Sequence, residues 1–195
     1  MRLLFRRLAL LTSIATAFAA DKTSFTAPAV SEMPHRQTTD RLTIAADAYD
    51  SGAKVHQAFG KLSPGEYGVL PVLVVMRNDG ARAIQLRALR VEYVGPHGDR
   101  VVATPANEVR YAVGPDPLAG QRRAGPIAIH KKNPLDVWEI EGRAFAAQML
   151  PAGQPAYGFF YFETGWQTGS TIYLSGLTEA RAGRELAFFE IPLAP

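Results

Sequence analysis

Eight consecutive residues from Val69 to Met76, Val-Leu-Pro-Val-Leu-Val-Val-Met, are apolar on both parities. As a strand, such a run buries both of its faces, which makes it a central strand of a core and excludes a solvated surface position. Asn78-Asp79-Gly80 follows, and these residue types tolerate the positive φ of a tight turn, so the stretch to Val94 predicts a hairpin. Its second arm changes parity. Ile84 and Leu86 are apolar on even positions, whereas Leu89, Val91 and Tyr93 are apolar on odd ones. A one-residue slip would turn the apolar side outward, so a β-bulge at Ala88-Leu89 is expected to keep one face inward.

The N-terminus reads as an export signal. Arg2, Arg6 and Arg7 precede an apolar stretch from Leu8 to Phe18, and Ala17-Phe18-Ala19 fits a small-x-small cleavage site. A signal peptide over 1–19, a flexible leader over 20–40 and a single domain over 41–195 are the expected divisions. No cysteine follows the signal, so a lipid-anchored form is not expected, and a periplasmic or secreted location is. The apolar stretch falls short of the roughly 20 residues of a membrane span. Taking its three arginines from the 21 basic residues leaves 18 against 18 acidic ones. A neutral mature chain gives no reason to expect a nucleic acid partner. The absence of cysteine excludes thiol catalysis, zinc thiolate sites and disulfides, so the domain must hold together by burial.

Short strands divided by turn residues recur along the rest of the chain. Leu42 to Ala45 opens the domain, Asp47 to Gly52 is a turn, and Lys54 to Leu62 alternates as a second strand through Val55, Gln57 and Phe59. Thr104-Pro105 predicts the start of a short helix to Val113, with Thr as N-cap. Pro134 to Ala147 has partly helical spacing, and the last strands are expected at 156–163, 171–177 and 186–191. The expectation is a mainly β chain, an antiparallel immunoglobulin-like β-sandwich with one or two short helical insertions.

Gly68-Val69-Leu70-Pro71-Val72, Arg77-Asn78-Asp79-Gly80, Thr104-Pro105, Gly158-Phe159-Phe160-Tyr161-Phe162 and Phe188-Phe189-Glu190-Ile191-Pro192 together carry a resemblance. In this order they resemble a group of secreted bacterial proteins of acidobacterial type, over roughly Leu42 to Leu193. More distantly, the chain is similar to telokin-like and other immunoglobulin-like extracellular modules. The resemblance implies a sandwich fold and export, and it implies no activity.

No catalytic signature emerges from the residue pattern. His35, His56, His97 and His130 are far apart, with no paired spacing that would gather the two or three ligands of a zinc site. Asp47, Asp50 and Ser51 could offer oxygens to calcium but lack the further ligands of a calcium loop and read as turn chemistry. Ser51, Ser63, Ser170 and Ser175 have no nucleophile-elbow context. Glu139, Glu141 and Glu163 are available carboxylates with no spacing that pairs them, and Gly114-Pro115 and Gly125-Pro126 lack the lysine and helix of a phosphate loop. No catalytic residue, metal or cofactor is therefore assigned.

Two features carry the expected recognition. Trp166, in a polar loop after an aromatic strand, could stack on a sugar or anchor a protein, or else fold back as a cap on the core. Arg122, Arg123, Lys131 and Lys132 flank Ile127 to Ile129 as a basic loop. Tyr157, Phe159 to Phe162, Phe188 and Phe189 are read as core and interface material. The functional expectation is an exported, non-catalytic interaction or structural module with a protein or glycan partner. The alternatives are an accessory polysaccharide-binding module and a cysteine-free secreted hydrolase. A homo-oligomer joined through a sheet edge is a further expectation.

Overall fold

The computed structural model describes residues 25–112, 135 and 138–193. The expected signal, the basic loop with Arg122, Arg123, Lys131 and Lys132, and the turns Gly114-Pro115 and Gly125-Pro126 lie outside them. In chain order the strands are β1 (Arg36–Thr39), β2 (Leu42–Ala48), β3 (Leu70–Asn78), β4 (Ile84–Gln85), β5 (Arg90–Val94), β6 (Arg100–Val102), β7 (Met149–Leu150), β8 (Pro155–Phe162), β9 (Thr171–Ser175), β10 (Thr178–Glu179) and β11 (Phe189–Pro192). Two helices, α1 (Gly52–Phe59) and α2 (Trp138–Gly142), lie between them. The chain is mainly β, and every pairing of these strands is antiparallel.

Two four-stranded sheets, ordered β1-β2-β3-β8 and β11-β9-β5-β6, face each other, and a small sheet β10-β4-β7 closes one end. The double-faced apolar run explains the layering. On one side of β3, Leu70, Val72, Val74 and Met76 meet Val91, Tyr93, Ile172, Leu174, Phe189 and Ile191 of the opposing sheet. On the other, Leu73 and Val75 join Phe159 and Tyr161 of β8 beneath Val55, Ala58 and Phe59 of α1 and Ile140 of α2. The sandwich is therefore backed by a helical layer, and β3 lies in the middle of three. Tyr161 donates its buried hydroxyl to the Ile140 carbonyl at 2.7 Å, and burial pushes its pKa above the ordinary tyrosine range.

Several local expectations are corrected. Lys54 to Phe59 belongs to helix α1 and Gly60 to Leu62 is a turn after it, so no strand forms there. The buried residues of α1, Val55, Ala58 and Phe59, follow helical spacing, and Val55 and Phe59 satisfy both periods. β3 does not form a hairpin with the arm that follows it. Its neighbours are β2 and β8, and Asp79-Gly80 begins a crossing into the small sheet. The parity change at Ala88-Leu89 arises from a turn, closed by Leu89 N–H to Leu86 O at 3.0 Å, because β4 and β5 belong to different sheets. No α-helix starts at Thr104-Pro105. Thr104 N–H instead donates to Tyr161 O at 2.7 Å and carries the chain from β6 to β8, leaving one 3-10 turn at Val109–Tyr111. A 3-10 turn (Val30–Glu32) and β1 fall within the expected leader.

Candidate functional site

The residues weighed for catalysis are not brought together. His35, His56 and His97 lie before β1, on α1 and in the β5–β6 turn, and among the described residues no three His, Cys, Asp or Glu side chains group as a metal site. Asp47 is taken up by Lys54 at 3.0 Å and Glu141 by Arg110 at 2.6 Å, while Glu163 accepts the Thr104 hydroxyl at 3.2 Å. Ser170 is fully buried, and Ser51, Ser63 and Ser175 stand on separate elements.

Trp166 is half-buried and packs against the core between the sheets. Its loop is held by the Tyr93 hydroxyl, which donates to Gly165 O at 3.3 Å and accepts the Gln167 N–H at 3.1 Å. The indole closes the end of the sandwich opposite the small sheet, and its buried Nε1 has no hydrogen-bond partner among the described residues. Its packing against the core is consistent with a cap.

Besides the exposed Tyr111, Trp138 and Tyr157, which stand on other elements, an aromatic pair lies on the outer face of β11-β9-β5-β6. In β9, Ile172 and Leu174 point into the core and Thr171, Tyr173 and Ser175 point outward. Phe188, just before β11, is 54% exposed and stacks on Tyr173 with ring centroids 5.3 Å apart, while its neighbour Phe189 is fully buried. The Arg100 guanidinium lies 5.0 Å from the Tyr173 ring centre, within cation–π range. Glu92, opposite Tyr173 in the ladder, accepts from Arg100 and Arg90, each at 2.7 Å. These bonds, that from Arg100 foremost, hold its carboxyl below the ordinary glutamate range even though desolvation opposes them. Val102, 50% exposed, is the ladder partner of Glu92 and extends the apolar area.

This face combines two aromatic rings, an aliphatic side chain and guanidinium groups pinned by a buried carboxylate. It offers stacking, apolar contact and oriented donors. Sequence reasoning does not single it out, because it groups Phe188 with the buried Phe189 as core and interface material. The available signal was Tyr173, an aromatic residue on the polar parity of an otherwise alternating strand.

No protein-family model and no curated protein matches the chain. Solved structures similar to it include a candidate lipoprotein, ycdA, of Bacillus subtilis, at 11% identity and a TM-score of 0.38, covering 80% of this chain. The chain spans 38% of that structure's length. The candidate ApaA protein of Bordetella pertussis aligns at 11% identity and a TM-score of 0.35, over 85% of this chain and 98% of the other. A third structure, designated SoR45, aligns at 10% identity and a TM-score of 0.32, over 80% of this chain and 86% of its own.

Proposed function

We propose that this chain is an exported, immunoglobulin-like binding module without catalytic activity of its own, and that it recognises a protein partner through the outer face of β11-β9-β5-β6. The observation that carries the reading is the exposed Phe188 stacked on the part-buried Tyr173 beside Arg100 and Glu92. Aromatic and arginine side chains around a small apolar centre make up the usual hot spots of protein interfaces. Export rests on the N-terminal arginines, the apolar stretch and Ala17-Phe18-Ala19. Among the described residues no helix is long and apolar enough to cross a membrane.

The test is capture from an envelope fraction by the wild-type chain beside Tyr173→Ser/Phe188→Ser and Trp166→Ala variants. The proposal expects the double variant to lose a defined protein that wild type and Trp166→Ala both retain. Equal capture by all three would move recognition off this face. Capture of a glycan in place of a protein would favour the polysaccharide-binding alternative.

A further inference from the structure

The two large sheets end in the edge strands β1, β8, β11 and β6, which are not equally closed. On β8, Phe159 N–H donates to Arg143 O at 2.8 Å, Phe159 O accepts Phe145 N–H at 3.0 Å, and Tyr161 O accepts Thr104 N–H at 2.7 Å. Pro155 of the same strand has no N–H, so Tyr157 stands isolated between closed positions. On β11, Leu193 N–H to Ser170 O at 2.9 Å sets the register, and the outward residues are Glu190 and Pro192. The Gln37 side chain takes the N–H of the first, and the second has none.

β6 is open. Gly95 N–H to Asp99 O at 2.8 Å and Ala103 N–H to Val91 O at 3.0 Å bracket its ladder with β5, so the pair exchanging bonds between them is Tyr93–Val101. The N–H and C=O of Arg100 and Val102 therefore point away from β5, and among the described residues they have no partner. A charged side chain commonly guards such an edge. Here the Arg100 guanidinium turns back toward β5 and β9, to Glu92 at 2.7 Å and to within 5.0 Å of the Tyr173 ring centre. β1 also keeps outward groups, at Arg36 and Thr38, but its sequence Arg-Gln-Thr-Thr offers a partner no apolar contact. β6 offers Val101, partly buried against the core, and Val102, half-exposed on the outer face.

We infer that β6 accepts an extended peptide segment of the partner as an added antiparallel strand, apolar where it faces Val101. Main-chain bonds give such pairing its affinity, and alternate side chains give it selectivity. The partner residues opposite Arg100 and Val102 exchange bonds with them and place their side chains on the outer face. The residue opposite Val101 packs on its side chain and directs its own N–H and C=O away from β6. The inference rests on the reading above, since Arg100 and Val102 belong to that face, and adds how the partner is held. A second copy of β6 fits less well, because setting Arg100 against Val102 also brings Asp99 against the apolar Ala103.

The test is amide hydrogen exchange, read by NMR, on the full chain with the peptide acetyl-Gln-Val-Thr-Val-Thr-Val-Gln-amide. Two analogues of equal composition carry N-methyl groups, one on both threonines and the other on the valines that follow them. The parent peptide should slow exchange at Arg100 and Val102 and leave Arg36 and Thr38 unchanged. With valines facing Val101, the threonine-methylated analogue should lose the effect and the valine-methylated one keep it. Val102→Pro removes one outward donor without touching a bond to β5, so it should abolish the slowing at Arg100 with the thermal midpoint unchanged. Equal action of both analogues would overturn the inference, and so would equal slowing at Arg36 and Thr38. Slowing at Arg100 and Val102 that rises with protein concentration in the absence of peptide would give the edge to a second copy instead. Failure of the Tyr173–Phe188 face in the capture experiment changes nothing in this readout, so the two failures are told apart.

Discussion

The Gln37 side-chain carbonyl accepts the backbone N–H of Glu190 at 2.8 Å, although the two residues belong to edge strands of different sheets. The bond joins β1 to β11 along one side of the sandwich, as Thr104 to Tyr161 joins β6 to β8 along the other. An unpaired edge N–H is a template for another chain's strand, and here a side chain occupies it. Replacing Gln37 with Ala is expected to change stability by less than about 1 kcal/mol, because the pair is exposed. It should, however, promote concentration-dependent association, which light scattering would detect. A variant as monomeric as wild type at the highest soluble concentration would show that the edge is guarded by other means.

Asn78 is 1% exposed, and its side-chain N–H groups donate to Arg82 O at 2.8 Å, Leu150 O at 3.1 Å and Pro151 O at 3.2 Å while its oxygen accepts Gly80 N–H at 3.0 Å. One carboxamide thus fastens β3 to the small sheet. Asn78→Ala strands three carbonyls and one amide, so a loss of about 2–4 kcal/mol is expected by chemical denaturation. Asn78→Asp keeps the volume but loses the donors, and should be no better tolerated at neutral pH.

Glu92 makes acid stability measurable. Its folded carboxyl titrates below its unfolded value, so the stabilisation is fully present above about pH 4.3 and is lost as pH falls through the lower folded value. The wild type should therefore lose stability below about pH 4 more steeply than Glu92→Gln. At neutral pH the variant should be less stable by about 1 kcal/mol, since its arginine partners are largely exposed. Parallel pH profiles for the two proteins would show that this carboxylate does not govern the acid limb.

Gly158 faces the backbone of the segment that crosses from α2 to β7. A Cβ there would collide with Phe145 Cα and lie 2.6 Å from Phe145 N. That segment covers the edge of β8 through Phe145 N–H to Phe159 O at 3.0 Å and Phe159 N–H to Arg143 O at 2.8 Å. Gly158→Ala must displace it, at a cost of about 1–3 kcal/mol that outweighs the entropic gain of alanine. Faster amide exchange at Phe145 and Phe159 in the variant would verify the mechanism, and unchanged exchange would refute it.

The β character of this chain was legible because period-two alternation and turn residues are local. The position of β3 was legible because only a strand covered on both faces can be apolar on both parities. Partner choice was not. Asn78-Asp79-Gly80 is equally good chemistry for a hairpin and for a crossing between sheets, and nothing local says that β3 would find β8. Val55 and Phe59 suit both a strand and a helix, and Ala58, buried between them, is too small to have decided the matter. The two candidate surfaces failed for a related reason. Phe188 and Phe189 are identical neighbours of which one is buried, and the open edge of β6 exists only once β5 has paired on its other side.

Because Leu70 pairs with Phe162 and Arg77 with Pro155, the middle strand cannot be completed until most of the polypeptide has left the ribosome. Until then a β2–β3 hairpin would hold out two greasy faces with nothing to cover either. During synthesis this protein is thus obliged to pass through an interval in which its best-protected residues are its stickiest, and a chaperone that holds extended chains would find its target between Leu70 and Met76.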